Sequence, residues 1–270
     1  MHIHTINPFY AARIARQRPQ PSVGTTLNVL DLFSGIGGFS LGLERSGMTT
    51  AAFCEIDLFC RSVLARHWPT VPVYSDNHEL SARRLSHDRI PSIDLICGGY
   101  PCQPFSIAGK QRGENDPRHL WPQMYRLVRE LRPRWVVCEN VLGHVELGLD
   151  AVLDDLDALG YTCTTFVVPA CAVGAPHRRD RVWIVAHATG LGLAGQGLGA
   201  QGRQSAPVLS HYSVWRELPA PFTCGDDDGI PCRVERTRAL GNAVVPQIPE
   251  LIGRAIMLHH YGAAARKEAA

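Results

Sequence analysis

From residue 27 onward, short apolar runs alternate with segments of helical period. Residues 27–33, 50–55, 71–73, 93–97, 134–139, 162–169 and 181–187 read as strands. Helical spacing falls on residues 38–46, 58–67, 121–131 and 149–159, and again from 246 to about 260. In the fourth helix Asp154, Asp155 and Asp157 take the polar face. Strands bounded by turn residues and alternating with amphipathic helices predict an α/β fold, a doubly wound and mostly parallel sheet. The pattern stops from Ala188 to about Cys232, where glycine is frequent and periodicity is lost, and it resumes over residues 233–245. A loop that long inside a domain is either functional or disordered. The chain therefore divides into an arm (1–26), a main α/β unit (27–187), an irregular insert (188–234), a C-terminal segment completing the main unit (235–262) and a tail (263–270).

Composition narrows the class. A length of 270 residues with 45% hydrophobic content suits one good-sized domain with a small appendage. The formal net charge of +2 does not announce a nucleic-acid binder, so any basic surface has to be local. Nine cysteines occur without a CxxC, which argues against a zinc ribbon, any other metal site or a disulfide framework. Free thiols fit a reducing compartment, and a cytoplasmic location is expected. No apolar stretch is long enough to span a membrane, and no signal-peptide core is present. The first 26 residues carry Arg13, Arg16 and Arg18 and no acid. Such a start can mimic a transit peptide; it reads as a flexible basic arm or an upstream start, outside the fold.

Two loops carry candidate chemistry. Asp31-Leu32-Phe33-Ser34-Gly35-Ile36-Gly37-Gly38-Phe39 follows the first strand and opens the first helix. Its glycines admit a ligand to the backbone and the helix N-terminus. Glu55 ends the next strand, at a spacing where a carboxylate can accept from a ribose diol. Asp76 follows the short third strand, placed for the edge of an adenine. Together they imply a nucleoside cofactor. The literal G-x-G-x-x-G match at Gly190–Gly195 has no amphipathic helix after it and reads as a flexible linker.

The second loop is Gly98-Gly99-Tyr100-Pro101-Cys102-Gln103-Pro104-Phe105-Ser106. It places Cys102 beyond the carboxyl end of a buried strand, stiffened by Pro101 and Pro104. On the loop alone, a nucleophile and a small buried hydrophobe are equally well served. Glu139-Asn140-Val141 ends the following strand, so in a parallel sheet Glu139 and Cys102 project from the same edge, a familiar pair for covalent catalysis. Glu139 could otherwise be a surface acid or a partner of a helix N-terminus. Arg178, Arg179 and Arg181 stand at the entrance to the last strand, where a charge run is either a solvated face or a site for phosphate or base.

In this order the motifs resemble the DNA (cytosine-5)-methyltransferases. The match runs from the Asp31–Phe39 loop through Glu55, Asp76, Pro101-Cys102-Gln103, Glu139-Asn140-Val141 and Arg179-x-Arg181 to Arg238-Ala239-Leu240-Gly241-Asn242-Ala243-Val244, over about residues 27–260. Leu120-Trp121-Pro122 and Asp228-Gly229-Ile230-Pro231 are most similar to the compact bacterial and phage type. The resemblance implies a Rossmann-like methyltransferase fold, S-adenosylmethionine as cofactor and double-stranded DNA as substrate. It implies that Phe33, Gly35 and Gly37 line the methionine and ribose, and that Glu55 binds the ribose hydroxyls. Asp76 would read the adenine, and Pro101, Leu120 and Asn242 would complete the pocket. Ile56 would stack where many relatives carry tryptophan, a departure expected to weaken stacking.

The implied chemistry is attack of the Cys102 thiolate on C6 of a flipped cytosine, which makes C5 nucleophilic. Glu139 would hydrogen-bond N3 and the exocyclic amine, and Arg179 and Arg181 would hold the base and adjacent phosphate. Gln103, Ser106, Lys110 and Gln111 would contact DNA. His177 replaces a glutamine common at its place. The insert (188–234), where this family reads sequence, is short and carries Asp226, Asp227 and Asp228, so short degenerate recognition or none is expected. A monomer is expected, with a cognate restriction endonuclease as a functional partner. Two rivals stand beside this reading: an RNA (tRNA) cytosine-5 methyltransferase, and a non-catalytic nucleic-acid-binding subunit.

Overall fold

A computed structural model describes residues 4–5, 26–101, 120–188 and 233–268. Among them an eight-stranded sheet carries helices on its two faces. The strands are β1 (His4–Thr5), β2 (Asn28–Leu32), β3 (Thr49–Cys54), β4 (Val73–Tyr74), β5 (Leu95–Gly98), β6 (Trp135–Val141), β7 (Tyr161–Pro169) and β8 (Asp180–Ala188). Their order across the sheet is β1-β7-β8-β6-β5-β2-β3-β4. Every pairing is parallel except those of β8, which inserts antiparallel between β6 and β7. This is the doubly wound and mostly parallel sheet that the alternation predicts, and the Rossmann-like fold that the resemblance implies.

The central strands are buried on both faces. In β5 all four residues are buried, and in β2 four of five. That explains their continuous apolar reading, since helices cover both sides. The helices are α1 (Gly38–Arg45), α2 (Leu58–His67), α3 (Ala82–His87), α4 (Trp121–Leu131), α5 (His144–Leu147), α6 (Leu149–Ala158), α7 (Arg233–Asn242) and α8 (Gln247–Glu268). One core layer packs α4 and α6 on the sheet through Met124, Leu127, Val128, Val152 and Leu156. The other packs α1 and α8 through Phe39, Leu43, Ile248, Ile252 and Ile256. No helix among the described residues is long and apolar enough to cross a membrane.

Close backbone approach fixes α1 against the segment leading into α8. A Cβ built on Gly42 would lie 2.2 Å from the Pro246 carbonyl oxygen, and one on Gly38 would lie 2.6 Å from that of Val244. Small residues on α1 thus bring the segment after α7 down onto the first helix.

Three features differ from the sequence reading. Two residues of the arm, His4–Thr5, pair in parallel with Phe166 and Val167 of β7, although the first 26 residues were expected outside the fold. The physical reason is that the far side of β7 offers unpaired backbone groups, which a passing extended segment can satisfy. Helix α8 continues to Glu268, through the segment read as a tail. A single Gly262 costs a helix only about 1 kcal/mol, and Ala263, Ala264 and Ala265 favour its continuation. The short helices α3 and α5 were not foreseen, because one or two turns leave little periodicity.

Candidate active site

The parallel register builds the site. Leu32 pairs with Gly98, and Gly98 with Cys138, so these three lie in one row across β2, β5 and β6. The next residues, Phe33, Gly99 and Glu139, emerge together at the carboxyl edge, where open α/β sheets bind ligands. All three line one cleft with Ser34, Gly35, Gly38, Phe39, Asn242, Ala243 and Val244. Gly98 is required where it stands, because a Cβ there would meet the Leu32 carbonyl oxygen at 2.6 Å.

The loop between β2 and α1 turns through left-handed backbone at Phe33 (φ 52°), Gly35 (φ 53°) and Gly37 (φ 87°). Phe33 is not a glycine, so its conformation is held against a steric cost, a feature concentrated at functional sites. A Cβ on Gly35 would meet nothing within 4 Å. Glu55 supports this loop from behind. Its Oε2 accepts from the Gly35 amide at 2.7 Å and its Oε1 from the Asp57 amide at 2.8 Å. Each carboxylate oxygen keeps a second lone-pair site for a ligand hydroxyl. Next to it the Ile56 side chain is exposed, 74% of its surface facing solvent. Asp57 caps α2 and lies 3.6 Å from Arg238, which links α7 to this end of the cleft.

Beneath the loop, Asp31 is fully buried. Its Oδ2 accepts from the Ser40 amide at 3.2 Å and hydroxyl at 2.7 Å. Burial outweighs these bonds and pushes its pKa up to about 7.

Glu139 and Arg181 form an ion pair, with Arg181 Nε 2.9 Å from Glu139 Oε1. The antiparallel pairing of β8 with β6 produces it, by laying Arg181 opposite Val141 and Trp183 opposite Glu139. Burial raises the Glu139 pKa, opposed by the charges of Arg181 and Arg179. Arg179 has a left-handed backbone (φ 36°), and its guanidinium donates to the Ala243 carbonyl at 3.2 Å. It lines a second, adjoining cleft with Ile36, Gly37, His177, Leu240 and Gln247.

The structure thus brings together Phe33, Gly35, Glu55, Glu139, Arg181 and Asn242, with Gly37 and Arg179 beside them. Asp76 follows β4, and its Oδ1 accepts from the His78 amide and approaches the His78 ring, each at 2.8 Å. Pro101 is exposed, and Leu120 forms the N-cap of α4. Cys102, Gln103, Ser106, Lys110 and Gln111 lie outside the described residues, as do the Gly190–Gly195 motif and most of the insert. Ser34, Gly38, Phe39, Gly99, Ala243 and Val244 also line the cleft. Each lies inside one of the sequence motifs given above, and membership in the motif was the available signal.

Residues 27–209 match the family model of the C-5 cytosine-specific DNA methylases. The chain is 40% identical over 161 residues to the Type II methyltransferase M.HgiBI of Herpetosiphon aurantiacus, covering 58% of this chain and 36% of that relative. It is 33% identical over 166 residues to the Type II methyltransferase M.HhaI of Haemophilus parahaemolyticus, covering 60% and 49%. The chain therefore spans less than half the length of these relatives. Among solved structures, a candidate DNA modification methyltransferase encoded within a prophage (E. coli) superposes with a TM-score of 0.53 at 32% identity, covering 60% of this chain and 47% of that one. A Spodoptera frugiperda DNMT2 variant gives a TM-score of 0.54 at 25% identity, with 63% and 53% covered.

Proposed function

The chain belongs to the C-5 cytosine-specific DNA methylase family, and from that premise we propose that it transfers a methyl group from S-adenosylmethionine to C5 of cytosine in double-stranded DNA. The observation that carries the reading is the meeting of Phe33, Gly99, Glu139 and Asn242 in one cleft, with Arg181 paired to Glu139.

The residues present fit the cofactor. Glu55 has lone pairs left for two hydroxyls, Gly35, where a Cβ would meet nothing within 4 Å, leaves the backbone open to a ligand, and exposed Ile56 offers an apolar face for a purine. Bound S-adenosylmethionine supplies an electrophilic methyl group on a sulfonium. Phe33, Gly35, Glu55 and Asn242 would hold it at the carboxyl edge of β2 and β3, with Pro101, Leu120 and Asp76 as further contacts.

On the substrate side, Cys102 follows Pro101 at the exit of β5. Its thiolate adds to C6 of a flipped cytosine, and the C5–C6 electron pair becomes available at C5. Glu139 hydrogen-bonds N3 and the exocyclic amine. Burial that raises its pKa favours the protonated form, the one able to donate to N3. Arg181 is paired with Glu139, and Arg179, which lines the adjoining cleft, is assigned to the base and adjacent phosphate. After C5 has taken the methyl group, a base removes the C5 proton, the C5–C6 double bond re-forms and the Cys102 thiolate leaves C6. Gln103, Ser106, Lys110 and Gln111 are assigned to DNA contact. A cytoplasmic monomer, with a restriction endonuclease as functional partner, completes the reading.

Incubating the protein with methyl-labelled S-adenosylmethionine and, in parallel arms, duplex DNA and tRNA tests the proposal. Label recovered as 5-methylcytosine from DNA supports it. Label in tRNA alone makes this an RNA enzyme, and label in neither favours a binding subunit.

A further inference from the structure

Tyr100 lies two residues before Cys102 and is held at both ends. Its backbone carbonyl accepts from Asn140 Nδ2 at 3.1 Å. Its hydroxyl lies 2.7 Å from His144 Nε2, within hydrogen-bond distance, and both side chains are buried. The Tyr100 ring packs against Trp121, with centroids 5.1 Å apart, and edge-on to His144 at 5.4 Å. His144 opens α5, five residues after Glu139 on the same continuous segment. It is itself confined, because a Cβ on Gly148 would come within 3.0 Å of its ring.

We propose that the Tyr100–His144 hydrogen bond is a positioning contact that fixes the base of the cysteine loop relative to the strand bearing Glu139. Neither side chain touches substrate. Asn140 and His144 both leave the Glu139 segment and grip one residue, so the backbone entering Pro101-Cys102 cannot shift without breaking a buried polar contact. The methyl-transfer reading requires a thiol and a carboxyl to address opposite parts of one pyrimidine ring. Displacements near 1 Å in such an arrangement cost about a hundredfold in rate. Buried polar contacts of this kind rigidify a unique arrangement when satisfied. The inference rests on the proposed function for its consequence in catalysis, but not for the mechanical coupling itself.

The test uses the full chain with Tyr100→Phe, His144→Ala, the double substitution and His144→Gln. The first readout is the rate of iodoacetamide alkylation at Cys102, resolved by peptide mass spectrometry, with exposed Cys171 as internal reference. Tyr100→Phe and His144→Ala are each expected to raise the Cys102 rate by about threefold or more, leaving Cys171 unchanged, because the loop base is released. The second readout is covalent trapping on duplex DNA containing 5-fluorocytosine. Its rate should fall by about tenfold in either single variant while affinity for S-adenosylmethionine stays constant. The double variant should be no worse than the more impaired single one, the signature of a shared contact. His144→Gln, whose amide can meet the same hydroxyl, should recover most of the loss. Cys102 alkylation within about twofold of wild type in both single variants would overturn the inference, as would effects that multiply in the double variant. Should wild type form no adduct, the methyl-transfer reading fails, while the alkylation comparison still decides the positioning role.

Discussion

Arg181 holds Glu139 from the neighbouring antiparallel strand, guanidinium Nε 2.9 Å from carboxylate Oε1. The pair exists because β8 runs against β6, so the entrance of one strand meets the exit of the other. Both side chains are largely buried, at 21% and 12% exposure. Desolvation raises the Glu139 pKa, and the guanidinium opposes that rise without cancelling it.

This arrangement predicts a pH dependence. A raised carboxyl pKa means the acid form persists above the ordinary glutamate range. Activity that needs a proton donor to N3 should therefore decline as pH rises through the folded-state value. Removing the positive partner by Arg181→Met should shift Glu139 further up. The kcat/KM profile measures this, and an unmoved basic limb in Arg181→Met would remove Glu139 as the titrating group. Glu139→Gln should lower the rate by about 10²–10⁴-fold with little change in cofactor affinity.

Glu55 makes a prediction about binding rather than rate. Glu55→Gln leaves one carbonyl acceptor for two backbone amides, so its NH2 must face the N–H of either Gly35 or Asp57. A donor facing a donor costs about 1–3 kcal/mol. Calorimetric titration with S-adenosylhomocysteine should show affinity reduced by about ten- to a hundredfold. Unchanged affinity would place the ribose elsewhere.

Asp31 predicts a stability effect. Its pKa rises from 3.8 to about 7 on folding, mainly through desolvation. The folded state then holds a proton that the unfolded chain has released. The associated stability is present below about pH 4 and is lost as pH rises through about 7, a swing on the order of 2–4 kcal/mol. Asp31→Asn should flatten this dependence in urea unfolding followed from pH 4 to 8. A slope equal to wild type would assign the effect to another group.

Helix packing gives a fourth. A Cβ on Gly42 meets the Pro246 carbonyl at 2.2 Å, whereas one on Gly143, at φ −61°, meets nothing within 4 Å. Gly42→Ala should destabilise by about 1–3 kcal/mol and loosen the segment carrying Asn242, and Gly143→Ala should cost well under that. Thermal melts of the two side by side decide it.

Much of this was legible in the sequence, for identifiable reasons. Strands buried on both faces read as continuous apolar runs, so β2, β5 and β6 were found within two or three residues, and with them the edge carrying Phe33 and Glu139. The bounds of α2 and α4 are those the periodicity indicates. What escaped were long-range pairings with no local pattern. The reversal of β8, which creates the Arg181–Glu139 contact, depends on a partner some 40 residues away. His144 sits in a single helical turn, too short to show a period, and its bond to Tyr100 joins residues 44 positions apart. His4–Thr5 was missed because an edge strand of two residues has no pattern to read.

The central claim is that Cys102 forms a carbon–sulfur bond to cytosine. Duplex DNA carrying 5-fluorocytosine, incubated with the protein and S-adenosylmethionine, tests it most directly, because fluorine at C5 blocks the proton loss that would release the thiol. Wild type should yield a denaturation-resistant protein–DNA adduct whose cross-linked peptide contains Cys102, and Cys102→Ala should yield none. A wild-type protein that binds both DNA and cofactor yet gives no adduct, or one that maps to another cysteine, would contradict the account.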